Sequence, residues 1–421
     1  MRISTVTMFE QSTASMNRQQ SDLMRVSQQI ASGRRVVNPS DDPQAASRAI
    51  GVDQAKAVTE QFSDSRVSAR NSLSQTESII NSVSDAITSA KGLLIQASSD
   101  TLTNENRESI ASELKGVYET LIGQANSTDG NGRYLFGGYK DSQPPFAKDG
   151  NGSVQYKGDS NVREQRVDAT RLMPVADNGE TIFKSVPSGA GYVVEAKQKS
   201  GDLNEGDVTF RGPQINSVND ANYGADFRIT FTSDSEFNVE TFDGNDWVLA
   251  DPADPTLTGV EYTGNQDGTA QQVSFGGVSV NLEGTPAADD SILVAQADGE
   301  QRKPDLFRTM EEAIRVLESP ADNATKKAEM RNTLNTAMRD LDNSLDNVLT
   351  VRASAGARLN ELDVIDAVGS NRMLNYDQTL SDLVDLDYAE AISEYSLRQI
   401  GMQAAQKAFV DIKGLSLFNY M

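Results

Sequence analysis

The stretch VNPSDDP at residues 37–43 sets two adjacent carboxylates, Asp41 and Asp42, between two prolines. Carboxylates so placed can hold a divalent cation, work as an acid and a base, or cap a helix. The first two uses need a further ligand or base close by, and the flanking residues offer none. Capping fits in two ways. Asp42 can be the N-cap with Pro43 at the first helical position, or Asp41 can cap with Gln44 completing a capping-box-like pair. Pro39 meanwhile keeps Asn38 out of helical angles. Either way Asn38, Pro39, Asp41, Asp42 and Pro43 form a helix cap and turn, with both carboxylates near the positive end of a helix dipole. The break separates a short N-terminal segment from a much longer one.

Other chemistry-bearing residue types are scarce. The 421 residues include no Cys and no His. Disulfides, thiolate nucleophiles, His-based triads and His-ligated zinc are thereby excluded, and no side chain has an ordinary pKa between 5 and 8. DGNDWVLADPADP at 243–255 gathers four aspartates, without the spacing of a calcium-binding EF-hand loop. It reads as a solvated acidic loop. DGNGRYLFGG at 129–138 lacks the Lys-Ser/Thr ending of a phosphate loop and reads as turns. No catalytic residue, metal site or cofactor is expected. A carboxylate- and metal-dependent enzyme in the acidic middle of the chain is the rival from another functional class.

The net charge is −23, and residues 141–300 carry 27 acidic against 10 basic residues. Such a balance opposes binding to nucleic acid or an anionic membrane, which takes clustered Lys and Arg. No segment approaches the ~20 apolar residues of a membrane span, so no membrane insertion is expected. The opening MRISTVTMFEQ has no apolar run of the kind a Sec-type signal peptide needs.

What must position these residues is helix at both ends and strand between. Phe9, Met16, Leu23 and Ile30 recur every seven residues, with Val26 in an alternate slot. From Ala69 a 4-3 spacing runs through Leu73, Thr76, Ile80, Val83, Ile87, Ala90, Leu94 and Ala97. Ile110, Leu114, Val117, Leu121 and Ala125 continue it. Leu334, Met338, Leu341, Leu345, Val348, Ala355, Leu359 and Leu362 repeat it near the other end, interrupted at Arg352. A helix from about 45 to 98 would be roughly 80 Å long. FRITF at 227–231, FNVET at 237–241 and VSVNL at 278–282 instead alternate with period two, and Asp243–Gly244 and Asp267–Gly268 supply turns.

The fold class expected is therefore α+β: a long coiled-coil-like helical rod or bundle made from both chain ends, with an inserted antiparallel β domain. The divisions are 1–40, an N-terminal assembly helix; 41–150, the first half of the rod with a terminal β-hairpin; 151–300, the β domain; 301–386, the second half of the rod; and 387–421, a C-terminal assembly helix. Residues 388–421 hold 19 hydrophobic residues of 34, too many for a frayed tail. Asp387 with Glu390 makes a capping-box-like start. This end reads as a helix docked on its own domain or as a sticky surface awaiting other subunits. In the second case both chain ends bury little without neighbours, and the heptad of Phe9, Met16, Leu23 and Ile30 is the natural partner of the C-terminal helix.

MRISTVTMFEQS, ASGRRVVNPSDDPQAASRAI at 31–50, DGNGRYLFGGYKDSQPPF at 129–146, VRASAGARLNELD at 351–363 and YSLRQIGMQAAQKAFVDIKGLSLFNYM at the end resemble the hook–filament junction proteins of bacterial flagella. These are the third hook-associated proteins of the flagellin superfamily. The likeness covers roughly 1–150 and 305–421, and residues 150–300 carry no transferable motif. It implies a structural adaptor, not an enzyme, exported by the flagellar type III apparatus without a cleaved signal and located extracellularly in the flagellum. Its implied partners are the first hook-associated protein on the hook side, flagellin, copies of itself in a helical layer, and an export chaperone met by the C-terminal helix. By position, Ile3, Phe9, Met16, Leu23, Ile30, Tyr395, Ile400, Phe409, Leu417 and Phe418 would be subunit-interface residues. Gly356 would allow close helix approach. The alternative within the superfamily is a short flagellin that forms the filament itself.

Overall fold

An unbroken 4-3 apolar spacing demands a helix with one continuous buried stripe. The computed structural model, which describes residues 5–150, 152–187, 189–265 and 269–418, has that helix. In chain order the elements are α1 (Thr5–Ser32), α2 (Pro43–Ala97), α3 (Asn104–Ala125), β1 (Phe146–Lys148), β2 (Val154–Tyr156), β3 (Arg163–Asp168), β4 (Arg171–Ala176), α4 (Gly179–Phe183), β5 (Tyr192–Ala196), β6 (Thr209–Ile215), β7 (Phe227–Ser233), β8 (Glu236–Phe242), β9 (Trp247–Leu249), β10 (Val260–Glu261), β11 (Gln271–Phe275), β12 (Val278–Glu283), β13 (Ser291–Gln296), α5 (Leu306–Glu318), α6 (Ala324–Val384) and α7 (Tyr388–Phe418). They divide into two compact units. One comprises Met1–Arg66 with Asp363–Met421, and the other is Val67–Leu362. Both α2 and α6 contribute to each.

In the larger unit, the stripe from Ala69 to Ala97 has no accessible surface at any of its seam positions. From Ile80 to Ala97 it packs with Ile110, Leu114 and Leu121 of α3, with α5, and with Leu334, Leu341 and Val348 of α6 in one apolar cluster. Arg352, which breaks the α6 spacing, reaches Glu77 of α2 at 2.7 Å. Capping explains where the shorter helices start. Thr103 accepts from the Asn106 amide before α3, and Asp305 accepts from the Phe307 and Arg308 amides before α5. Phe136, Phe146, Phe183 and Phe307 stack in the same cluster, with centroids 5.0 to 5.7 Å apart. The hairpin β1–β2 straddles residue 150, so by packing the helical core extends to residue 183 rather than ending at 150.

Every strand pairing among the described residues is antiparallel. A six-stranded sheet in the order β10-β8-β7-β13-β5, with β9 added on β8, and a three-stranded sheet β11-β12-β6 share one core. Phe227, Ile229, Phe231, Phe237 and Val239 enter it from one sheet. Phe210, Val273, Val280 and Leu282 enter from the other. The period-two segments put these residues on one face, as alternation requires. The chain is thus α+β, helical toward both ends with an antiparallel β domain inserted between the helices.

A polar seam joins the β domain to α6. Asn332 donates to the Val208 carbonyl at 2.9 Å and accepts from the Phe210 amide at 3.2 Å, while Thr336 donates to the Val194 carbonyl at 2.7 Å. These bonds satisfy backbone groups on β5, on β6 and just before it. Between them and α5 the guanidinium of Arg302 is buried against Glu195 and Asp340. The turn at Asp267–Gly268 lies outside the described residues.

One sequence expectation is corrected here. A Cβ added at Gly356 would meet nothing within 4 Å, so no helix approaches there. At Gly369 a Cβ would come within 2.7 Å of an Arg66 guanidinium nitrogen, a side-chain tip and not a neighbouring helix. A glycine inside a helical pattern marks both positions equally. Only packing distinguishes them.

Candidate assembly site at the paired chain ends

In the smaller unit α1 and α7 run antiparallel, face to face. The inward face of α1 follows Phe9, Ser12, Met16, Gln19, Leu23, Val26 and Ile30. That of α7 follows Ala391, Tyr395, Arg398, Met402, Ala405 and Phe409, also in 3-4 spacing. Val26 is 1% exposed and Ala391 5%. The Phe9 and Phe409 rings lie 5.1 Å apart between centroids, and Arg398 pairs with Asp22 at 2.8 Å and with Glu394 at 3.1 Å. The ends therefore pair within the chain yet bury little: of these seam residues only Val26 and Ala391 are buried, Phe9 is 45% exposed, and the others are half-buried. Two complementary heptad seams within one chain shield each other in part.

A double turn closes the base of this pair. Gly33, at φ +69°, ends α1 in the left-handed conformation that glycine adopts without penalty. Its carbonyl accepts from the Leu386 amide at 3.1 Å, and the Arg35 amide donates to the Val384 carbonyl at 2.8 Å. The Arg35 guanidinium donates to the Leu383 carbonyl at 2.6 Å, placing positive charge at the negative end of α6. The other end of that guanidinium reaches Asp42 at 3.2 Å. Asp42 accepts from the Ala45 amide at 3.0 Å, which makes it the N-cap of α2. Asp41 instead accepts from the Val37 and Asn38 amides at 3.2 and 2.8 Å and closes the NPSD turn. The backbone bond from Ala45 and the Arg35 charge hold the Asp42 carboxyl below its ordinary pKa. Asp387 caps α7 through the Ala389 and Glu390 amides. The paired aspartates are structural: each is used up by its own backbone.

The remaining acidic loop behaves alike. Asp243, Asp251 and Asp254 each accept from amides two or three residues on, at 2.8 to 2.9 Å. Backbone hydrogen bonds lower the Asp243 pKa. Their carboxylates are spent on separate turns and do not converge. Among the described residues no three acidic side chains come together as a metal would require, and no helix is long and apolar enough to cross a membrane.

Of the residues the family likeness marks, Phe9, Met16, Leu23, Ile30, Tyr395 and Phe409 meet in the intramolecular seam. Ile400 does not: it is 64% exposed. Ile3, and the side chains of Leu417 and Phe418, lie outside the described residues. Sequence reasoning missed the companions of Ile400. Ile392, Leu397 and Val410 are also exposed on α7, and at ~100° per residue they fall away from the α1-facing side. Met24 of α1, Ile50 and Val58 of α2, and Val364, Val368 and Leu374 of α6 are exposed too. Most of the large exposed apolar side chains of the chain are in this smaller unit, although it is the lesser part. The signal was available as apolar residues at off-seam positions. Its meaning depends on knowing which face the seam takes.

Chain-end helices paired antiparallel, long helices entered through a double turn, and a β domain inserted between them define the class: a helical protein whose two ends meet, interrupted by an antiparallel β domain. The model of the bacterial flagellin N-terminal helical region matches residues 3–141. Flagellar hook-associated protein 3 of Escherichia coli (strain K12) is 32% identical over 418 residues, covering 99% of each chain. A crystal structure of FlgL from Xanthomonas campestris is 27% identical with a TM-score of 0.64, and covers 78% of this chain and 99% of that one. The structure of the flagellar junction protein FlgL from Legionella pneumophila, at 24% identity and a TM-score of 0.63, shares the fold over 80% of this chain and 100% of its own. The chain belongs to the flagellar hook-associated protein 3 family.

Proposed function

We propose that this chain is the structural adaptor between the flagellar hook and the filament. In this reading it contacts the first hook-associated protein on one side and flagellin on the other, with copies of itself completing a helical layer. The observation that carries the reading is the outward apolar face of the chain-end unit. Met24, Ile392, Leu397, Ile400 and Val410 remain exposed after α1 and α7 have satisfied each other. An apolar surface left over from internal packing marks an interface. A heterologous contact of this kind presents different neighbours with different surfaces, as a layer between two unlike tubes needs. The β domain, with its acidic loops spent on turns, is the solvent-facing part. Export through the flagellar type III apparatus, with a chaperone on the C-terminal helix until assembly, fits a chain without cysteines whose sticky surface must stay apart until delivery.

Deleting the chain tests this. Cells should then make hooks without filaments and release flagellin into the medium, and resupplying the chain should restore filaments. The short-flagellin reading predicts instead that purified chain elongates into filaments on seeds. Such elongation would overturn the adaptor assignment.

A further inference from the structure

The apolar pattern of the chain-end pair does not define its own register. Phe9, Met16, Leu23 and Ile30 repeat every seven residues, so sliding α1 by one heptad against α7 returns large apolar residues to the same slots. Phe9 would move from Phe409 to Met402, for example. The polar residues break this degeneracy, because each occurs once. Asp22 meets Arg398 at 2.8 Å. Gln19 lies across from Gly401, its amide atoms 3.9 and 4.0 Å from where a Cβ would stand. The Gln19 carbonyl oxygen is buried without a hydrogen-bond partner. A slip of seven would put Arg398 against Ser15 or Gln29, Asp22 against Ala391 or Ala405, and Gln19 against Glu394 or Ala408. Every slipped state loses the ion pair.

We infer that the layer formed by Gln19, Asp22 and Arg398 sets the register of the chain-end pair, a specificity role that polar residues in helical seams can fill. The inference concerns the pair itself and holds whatever the pair docks on. It explains why a seam that could be wholly apolar carries a buried amide with an unmade bond. It also accounts for how two segments separated by most of the chain find one alignment.

The absence of cysteine makes the test clean. Asn17 and Gln403 are exposed, and Asn17→Cys with Gln403→Cys gives sites for a pair of nitroxide labels in the full-length chain. Double electron–electron resonance should show one dominant distance. Replacing the layer by Gln19→Leu, Asp22→Leu and Arg398→Leu should keep the helical circular dichroism and add further distance populations, since a heptad slip moves one label ~10 Å along the axis. The exchanged pair Asp22→Arg with Arg398→Asp should restore the single distance, and either reversal alone should not. A layer variant that keeps the single wild-type distance would overturn the inference, because register would then be set by the double turn. So would a wild-type chain lacking a dominant distance.

Discussion

The side chains that looked most able to do chemistry prove to be architectural. Gly33 combines a left-handed φ of +69° with the Tyr388 hydroxyl 2.9 Å from where a Cβ would sit. Gly33→Ala should therefore cost about 1–2 kcal/mol for the backbone alone, read as faster amide exchange at Leu386, whose amide bonds to the Gly33 carbonyl. Gly356→Ala should do the opposite. Its site is open and helical, so the alanine should stabilise the fold by up to about 1 kcal/mol, read as a higher thermal midpoint. Arg302 is 4% exposed and serves two carboxylates. Arg302→Met should cost about 3–5 kcal/mol in urea unfolding, because Asp340 stays buried without its guanidinium partner, although Glu195 keeps Lys197. Replacing all three by apolar residues should recover most of that loss. None of these roles can be read from residue type alone. The NPSDDP turn shows how far the sequence reaches: it announces a cap, and only the hydrogen bonds say that Asp42 makes it while Asp41 closes the turn.

At the scale of elements, most of the fold is legible because its periods are long. The stripe from Ala69 to Ala97 and its counterpart on α6 fall on the expected faces, and Ile80→Ala or Leu94→Ala should each cost about 2–5 kcal/mol from residues with no accessible surface. Retention of the full unfolding midpoint by either variant would show that the stripe is not the core. The strands at 227–231, 237–241 and 278–282 were visible by alternation, whereas β9 and β10, of three and two residues, are too short to carry a period. What periodicity cannot give is the partner of each face. The family likeness grouped Ile400 with Tyr395 and Phe409 as interface residues, yet those two turn toward α1 while Ile400, 64% exposed, turns away. The polar seam of Asn332 and Thr336 was hidden for the same reason, since its partners are backbone groups more than 100 residues away.

The molecule as a whole is acidic, and its folded state should depend on carboxylates staying ionised. Although burial alone would raise its pKa, Glu240 is held below its ordinary 4.5 by Lys199 and Arg228. That contribution is complete above pH 4.5 and is lost as pH falls through the lowered value. Glu240→Gln should consequently flatten the fall of thermal midpoint with acid, and an unchanged slope would remove Glu240 from the account. Identity at this scale came from order and resemblance, not from physical pattern. Five motifs at the two ends name the family, while the acidic β domain between them carries none. The central claim is that the outward apolar face of the chain-end pair builds the junction while its inward face only holds the pair together. It is tested most directly by Leu397→Glu with Ile400→Glu, supplied to cells lacking the chain. The variant should be secreted and keep wild-type helical content, yet leave hooks bare and flagellin in the medium. Secretion at the wild-type level together with full-length, motile filaments would contradict it.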